Sequence, residues 1–351
     1  MSLVLQIKSE GSMQENWLAF IEAFDSEKAY VLASIVSTRG STYCKTGCLM
    51  LIAEDGHCIG LLSGGCLEAD ISLHAMTIIS GTKSKLLSYD LKADAELLWG
   101  LGLGCDGALE ILLQPLNKTN NHLSFEQMLS SLNERKSGIY CQAINDQKTA
   151  LSLFIPHQQC RPDSVNDYLS SHSKFSLNTD IILVTPVAPP LSLLICGAGL
   201  DVLPLVAIAE QLAWQITVWD HRPALLEQSG LSRCSARTKI RAEKVKSKDM
   251  KDFDAVLIMS HNLVSDGLFL QHALADNIHY IGLLGPAERR DKLLQDLLLS
   301  AADLKGQLFA PVGLDLGGRS PQAIALSICA QIQQQRSIRY NNAEYQPWLV
   351  K

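Results

Sequence analysis

Leu191-Ser192-Leu193-Leu194-Ile195-Cys196-Gly197-Ala198-Gly199-Leu200-Asp201-Val202 is the stretch that decides the fold. Its apolar start reads as a buried strand. The two glycines allow a tight turn, and a helix opens behind them and runs to Trp214. Gln215–Trp219 reads as the next strand and ends at Asp220, about 20 residues past the glycines. Ala255–Ser260 and Tyr280–Leu284 repeat the strand signal with helices between them. This half therefore reads as a Rossmann-like doubly wound parallel sheet.

The cofactor signal is weaker than the fold signal. Val202 stands where the dinucleotide fingerprint has its third glycine. Asp201 lies in the helix's first turn, where a pyrophosphate would sit, and repels phosphate unless a cation bridges them. Asp220 is placed to hold a ribose, and His221 and Arg222 to meet a phosphate. The other reading keeps the crossover as scaffold, with Asp201 as a helix-dipole partner. His261 and Asn262 end a strand on the ligand side of such a sheet. Arg289 and Arg290 open a helix, as an anion site or as a solvated face. Pro311–Pro321 is a glycine loop into the final helix, with Ser320 as N-cap and Pro321 at its first position.

Upstream, Pro186-Val187-Ala188-Pro189-Pro190 reads as a stiff linker, dividing the chain into domains 1–188 and 189–351. In the first, residues 13–27 form a helix with Trp17, Phe20, Ile21 and Phe24 on one face. Tyr30–Val36 is a buried strand. The polar loop from Ser37 to Cys48 carries Arg39, Ser41, Thr42 and Lys45, and reads as an anion site or as a solvated connection. The strands Leu49–Ala53 and Ile59–Leu62 lead to Ser63-Gly64-Gly65-Cys66-Leu67-Glu68. Leu67, Ile71, Ala75 and Ile78 then recur at helical spacing, so Cys66 sits at a helix N-terminus, which favours anions and lowers a thiol's pKa. The alternative is a small cysteine packed behind a turn.

Lys85–Tyr89 is a strand. The glycine-dense run from Trp99 to Gly107 follows, containing Gly104 and Cys105, and leads into the strand Ala108–Leu113, which stops at Pro115. Cys66 and Cys105 then read either as two thiols facing one pocket or as core cysteines of two independent glycine turns. Cys44, Cys48, His57 and Cys58 fit no standard zinc spacing. A helix at 124–135 and strands near 139–145, 150–155 and 181–185 complete this half.

The chain has 351 residues, 47% hydrophobic and 19% charged, ample for two packed cores. A net charge of −6 argues against nucleic-acid and anionic-membrane partners. No apolar run has the length of a membrane span, and no signal-peptide core is evident. The ten cysteines lack the density of a disulfide scaffold, so the expectation is reduced thiols in a cytoplasmic protein.

Taken together, these pieces resemble the XdhC/CoxI family of xanthine dehydrogenase accessory factors. Gly40-Ser41-Thr42, Gly64-Gly65-Cys66-Leu67-Glu68 and Gly104-Cys105-Asp106-Gly107 are similar to motifs of the family's N-terminal α/β domain. Gly197-Ala198-Gly199, Asp220-His221-Arg222, Ser260-His261-Asn262, Tyr280-Ile281-Gly282 and Gly313-Leu314-Asp315 are similar to those of its Rossmann domain. Cys44 stands where the family often has a basic residue and Thr46 where it often has proline, leaving Lys45 or Arg39 for an anion contact. The resemblance implies a non-catalytic chaperone that binds molybdenum cofactor and hands it to an apo molybdenum hydroxylase such as xanthine dehydrogenase. The cofactor is an anionic pterin with phosphate, dithiolene and oxo or sulfido groups, which calls for soft and anion-binding groups in a sheltered cleft; the resemblance thus makes Cys66 and Cys105 the candidate metal-binding thiols, with basic and hydroxyl groups nearby. The cleft between the domains is the expected place. Sulfuration or cofactor-synthesis proteins are further candidate partners, and an exposed apolar face on either domain would allow a homodimer. The competing reading is an NAD(P)-dependent oxidoreductase with His261 as acid/base; a third is a scaffold that binds no cofactor.

Overall fold

The computed structural model describes residues 4–5, 17–91, 107–157, 165, 169, 181–300, 302, 304, 306–340 and 347–350. Gly104, Cys105, Asp106 and most of 157–178 lie outside the described residues. The chain divides into two units, one of Met1–Pro189 with Tyr340–Lys351, the other Pro190–Arg339. Each is described by itself.

In the first unit the described strands are antiparallel throughout. One five-stranded sheet runs in the order Cys58–Ile59, Leu49–Ala53, Tyr30–Arg39, Ala108–Leu116, Lys85–Asp90. The other runs Val4–Leu5, Trp348–Val350, Ile181–Val187, Gly138–Ile144, Ser152–Pro156. The strand Tyr30–Arg39 is apolar at consecutive positions because it is covered on both faces. Tyr30 and Leu32 join Tyr140, Phe154 and Val187 between the sheets. Val31, Ala33 and Ile35 meet Leu67, Ile71 and Ala75 of the helix Glu68–Met76 on the outer face. A polar band crosses the core between the sheets: Gln142 Nε2 donates to Ser34 Oγ (2.8 Å) and Gln114 Oε1 (3.0 Å), and Ser152 Oγ also donates to Gln114 Oε1 (2.7 Å).

Several boundaries differ from the sequence reading. The strand expected to stop at Pro115 continues to Leu116. Its neighbour Lys85–Asp90 has already ended opposite Leu113, so the missing N–H of Pro115 deprives no partner there. Ile59–Leu62 is a strand only at Cys58–Ile59. The tail does not belong to the second domain: Trp348–Val350 pairs with Ile181–Val187, and Trp348 and Val350 bury against Ile182 and Val184.

The second unit is a six-stranded sheet in the order Ala236–Lys239, Gln215–Asp220, Ser192–Cys196, Ala255–Ile258, Tyr280–Leu283, Leu308–Phe309. Every pairing is parallel. In chain order this is 3-2-1-4-5-6, the Rossmann arrangement. Leu193 and Ile195 face the helices Val202–Gln211 and Pro321–Tyr340, while Leu194 and Cys196 face Leu263–Ala275 and Ala287–Asp296. Consecutive residues of one strand are thus buried on opposite sides. The strand Ala236–Lys239 escaped the sequence reading because it is an exposed edge with no apolar pattern. No helix among the described residues is long and apolar enough to cross a membrane.

Candidate functional site

Loops that carry separate sequence motifs of the first unit meet. The first leaves the strand Tyr30–Arg39 and returns through Gly47, whose N–H donates to Ile35 O (2.8 Å). Thr42 Oγ1 donates to Cys44 O (2.8 Å), and Cys44 Sγ to Leu61 O (3.3 Å), tying this loop to the segment before Ser63. The Tyr43 ring lies on Gly64: a Cβ built there would be 3.2 Å from Cδ2. Ser41 lies against Gly107, where an added Cβ would be 2.3 Å from Ser41 O. The described end of the second glycine motif therefore abuts the Ser41-Thr42 loop.

The turn that presents Cys66 is built around Glu68. Its Oε1 accepts from the N–H groups of Leu62 (2.9 Å) and Ser63 (2.7 Å), and its Oε2 from Ser63 Oγ (2.5 Å) and Leu67 N–H (3.2 Å). Burial opposes ionisation of Glu68, but these bonds outweigh it and hold the carboxyl below its usual range. Gly64 and Gly65 take φ of 77° and 102°, which favour glycine. The helix starts at Glu68 with Leu67 as N-cap, so Cys66 stands just ahead of the first turn, half-buried beside the apolar cluster under that helix. The Glu68 carboxylate thus organises this turn.

The other cysteines of this region are distinct. The Cys44 thiol is hydrogen-bonded with Cys48, and that contact, then burial and the nearby Cys48 and Glu68 charges, pushes its proton far above the ordinary thiol range. Burial first, and then Glu68, raise Cys58 against the opposing hydrogen bond with Ser72. Among the described residues no three His, Cys, Asp or Glu side chains converge on a metal position. Arg39 is exposed and Lys45 half-buried, and neither forms an ion pair among the described residues. A separate cavity of this unit, lined by Asn120, Asn145, Lys148, Thr149 and Ser152 among others, contains none of the expected site residues.

In the second unit a crevice opens at the carboxyl ends of the strands, around the switch in strand order. Gly197, Asp220, Arg222, Ser260, Asn262 and Phe269 are among its lining residues. Gly197 has φ 127°, and a Cβ there would fall 2.3 Å from Met259 O, so only glycine lets this loop approach the next strand. Val202, in place of a third glycine, is fully buried in the core with Leu193 and Ile195 and secures the helix by apolar packing. Asp201 makes no side-chain cap bond; its Oδ2 lies 3.0 Å from His261 Nε2. The Asp201 carboxylate also curls over Gly199, where an added Cβ would be 2.4 Å from Oδ1.

The expected ribose and phosphate groups bind each other. Asp220 Oδ1 accepts from Arg222 N–H (2.8 Å) and Nε (2.9 Å), and Oδ2 from Arg222 Nη2 (2.7 Å) and Ala198 N–H (2.8 Å). Burial opposes the charge on Asp220, but the Arg222 bonds and the two backbone N–H groups keep its carboxyl below the usual range. Arg289 and Arg290, read as an anion site or as a solvated face, are both engaged by protein partners. Arg289 Nη2 pairs with the buried Asp266 Oδ2 at 2.6 Å, and Arg290 donates to Ala310 O (2.9 Å) and Asp291 Oδ1 (2.7 Å).

Tyr43, whose ring lies on Gly64 between these loops, was not singled out from the sequence. The available signal was a single aromatic inside a polar Gly-Ser-Thr loop, next to a cysteine.

Comparison with known proteins agrees with both halves. Residues 193–332 match the family described as the XdhC Rossmann domain, and residues 23–90 match the XdhC and CoxI family. A Bacillus subtilis (strain 168) protein, named as a probable subunit of xanthine dehydrogenase, is 30% identical over 318 residues, covering 89% of this chain and 94% of that one. The Escherichia coli (strain K12) "Molybdenum cofactor insertion chaperone PaoD" is 24% identical over 326 residues, covering 92% and 88%. The crystal structure of a xanthine dehydrogenase from Bacillus halodurans superposes with a TM-score of 0.76 at 29% identity, covering 93% of this chain and 97% of that one. With two motif-bearing units in the expected order and a relative matched over nearly its whole length, this chain belongs to the XdhC and CoxI family.

Proposed function

We propose that this chain binds molybdenum cofactor as cargo and delivers it to an apo molybdenum hydroxylase such as xanthine dehydrogenase. The observation that carries the reading is the meeting of the loops in the first unit: Ser41 against Gly107, Tyr43 on Gly64, and Cys44 bound to Leu61 O beside the Ser63–Glu68 turn. That convergence brings together what the cargo requires. Cys66 supplies a soft ligand for the metal end, held ahead of a helix by the Glu68-centred turn. Arg39 and Lys45 are cations with no ion pair among the described residues, available to phosphate. Gly65 leaves open space, with no atom of the described residues within 4 Å of an added Cβ. Cys105 is proposed as the second thiol, from its place two residues before Gly107. The relative named as a molybdenum cofactor insertion chaperone supports the assignment.

A second reading, a nicotinamide dinucleotide enzyme, is favoured by the strand order and the Gly197-Ala198-Gly199 crevice. Two features oppose it. Asp201 places a carboxylate where a pyrophosphate would lie, and both oxygens of Asp220 are already engaged. Metal and pterin analysis of protein purified after co-expression with cofactor synthesis tests the proposal. Near-stoichiometric molybdenum and pterin are expected in the unmodified chain, and their loss in Cys66→Ser at a melting temperature within a few degrees. An unmodified chain free of both, or a Cys66→Ser chain that still loads and activates an apo-hydroxylase fully, overturns it.

A further inference from the structure

Resting on that reading, we propose that Tyr43 is the stacking platform of the carrier site, taking the planar pyrimidinone ring of the pterin against its exposed face. Tyr43 is 65% exposed, and its hydroxyl has no hydrogen-bond partner among the described residues. It belongs to none of the apolar clusters of this unit. Its position is nevertheless fixed. The Thr42 Oγ1 bond to Cys44 O spans residue 43, and the Cys44 Sγ bond to Leu61 O anchors the far side of the loop. Gly64 supports the ring from below: an added Cβ would approach Cδ2 to 3.2 Å and Cγ and Cε2 to 3.5 Å, so any larger residue there would displace it. The next residue, Gly65, leaves space beside the ring and leads to Cys66.

An aromatic ring on a loop tied down on both sides, resting on Gly64 and open to solvent, suits a flat ligand, because the loop need not be ordered on binding. Stacking gives affinity without a hydrogen-bonding demand, which suits a carrier that must release its cargo. The cations of the same loop, Arg39 and Lys45, meet the other requirement of an anionic pterin. The assignment deepens the carrier reading by giving the organic end of the cargo a contact separate from the thiol end.

The test is titration of neopterin, an oxidised planar pterin, into the full-length protein, read by quenching of pterin fluorescence. Guanosine, which shares the pyrimidinone edge on a purine, is the comparison ligand. We expect neopterin to bind, more tightly than guanosine. Tyr43→Ala should weaken it about tenfold, and Tyr43→Phe should stay within twofold of the unmodified chain. Tyr43 is exposed, so both variants should melt as the unmodified chain does. Equal binding by Tyr43→Ala, tighter binding of guanosine, or no neopterin binding to the unmodified chain overturns the platform. Molybdenum and pterin analysis separates this failure from failure of the carrier reading. If Tyr43→Ala loads cargo as fully as the unmodified chain, the platform is wrong and the carrier stands. If the unmodified chain carries no cargo, the carrier reading itself falls.

Discussion

Glu68→Gln tests whether the turn that presents Cys66 depends on a carboxylate. Four donors converge on the native side chain, two at each oxygen. Glutamine keeps one accepting oxygen. With that oxygen toward Leu62 and Ser63, its amide nitrogen faces the Leu67 N–H, which keeps its shorter bond to Ser63 Oγ (2.7 Å), while the Ser63 hydroxyl loses the carboxylate oxygen it donates to. Bonds to a charged acceptor contribute about 1.5–3 kcal/mol and neutral ones about 0.5–1.5 kcal/mol. Weakening two bonds by about 1 kcal/mol each and losing the charged one from Ser63 Oγ at about 2 kcal/mol sums to about 4 kcal/mol, and water reaching this half-buried turn reduces the net cost to about 2 kcal/mol. For a unit of this size the melting temperature should fall by roughly 4–8 °C near neutral pH. The sign with pH follows from the depressed carboxyl. Between the folded and unfolded pKa values the unfolded chain binds the extra proton. The stabilisation is therefore complete above the ordinary glutamate value of about 4.3 and is lost as the pH falls through the folded value. Thermal unfolding near neutral pH and in acid should show a gap between the two proteins that narrows in acid. Equal melting temperatures near neutral pH, or a gap that widens in acid, would refute the reasoning.

Other consequences can be checked independently. Arg222→Met leaves the buried Asp220 with the N–H groups of residues 198 and 222 and the exposed His221 ring, whose Nδ1 lies 3.5 Å from Oδ1; it should cost about 2–3 kcal/mol in chemical denaturation, and adding Asp220→Asn should recover part of it. No loss in the single variant would show that the pair is incidental. Asp201→Asn removes the charge over Gly199, so calorimetry should find free NADH bound weakly by the unmodified chain and about fivefold more tightly by the variant. Tight binding by the unmodified chain would mean the Asp201 carboxylate does not guard the crevice.

The Rossmann half was legible because its signals are local and mutually consistent. A strand buried on both faces must be apolar throughout, as Leu193 to Cys196 is, and the turn after it must bring Gly197 against Met259 O. What escaped lacked such a signature. Ala236–Lys239 completes the sheet as an exposed edge held by backbone bonds, so its side chains carry no message of burial. The tail strand Trp348–Val350 is apolar and short, but its partner Ile181–Val187 lies more than 150 residues away, and no local pattern specifies that pairing.

The site divides along the same line. Residue types with suitable chemistry were identifiable; their prior commitments were not. Arg222 and Asp220 are two residues apart in sequence and looked like two ligand groups, yet the side chains close on each other because the strand ends where the buried carboxylate needs a cation. Arg289 is likewise claimed by Asp266, a residue 23 positions away that only the packing of two helices brings near. In the first unit the opposite holds. Arg39, Lys45 and the Tyr43 ring lack such partners among the described residues, while the groups that position them, Thr42, Cys44 and Glu68, are bonded inward. The proposed carrier site calls for that separation between groups that build a pocket and groups left for a ligand. The surroundings of Gly64 and Gly65 have it, whereas in the Rossmann crevice the charged groups have largely neutralised one another.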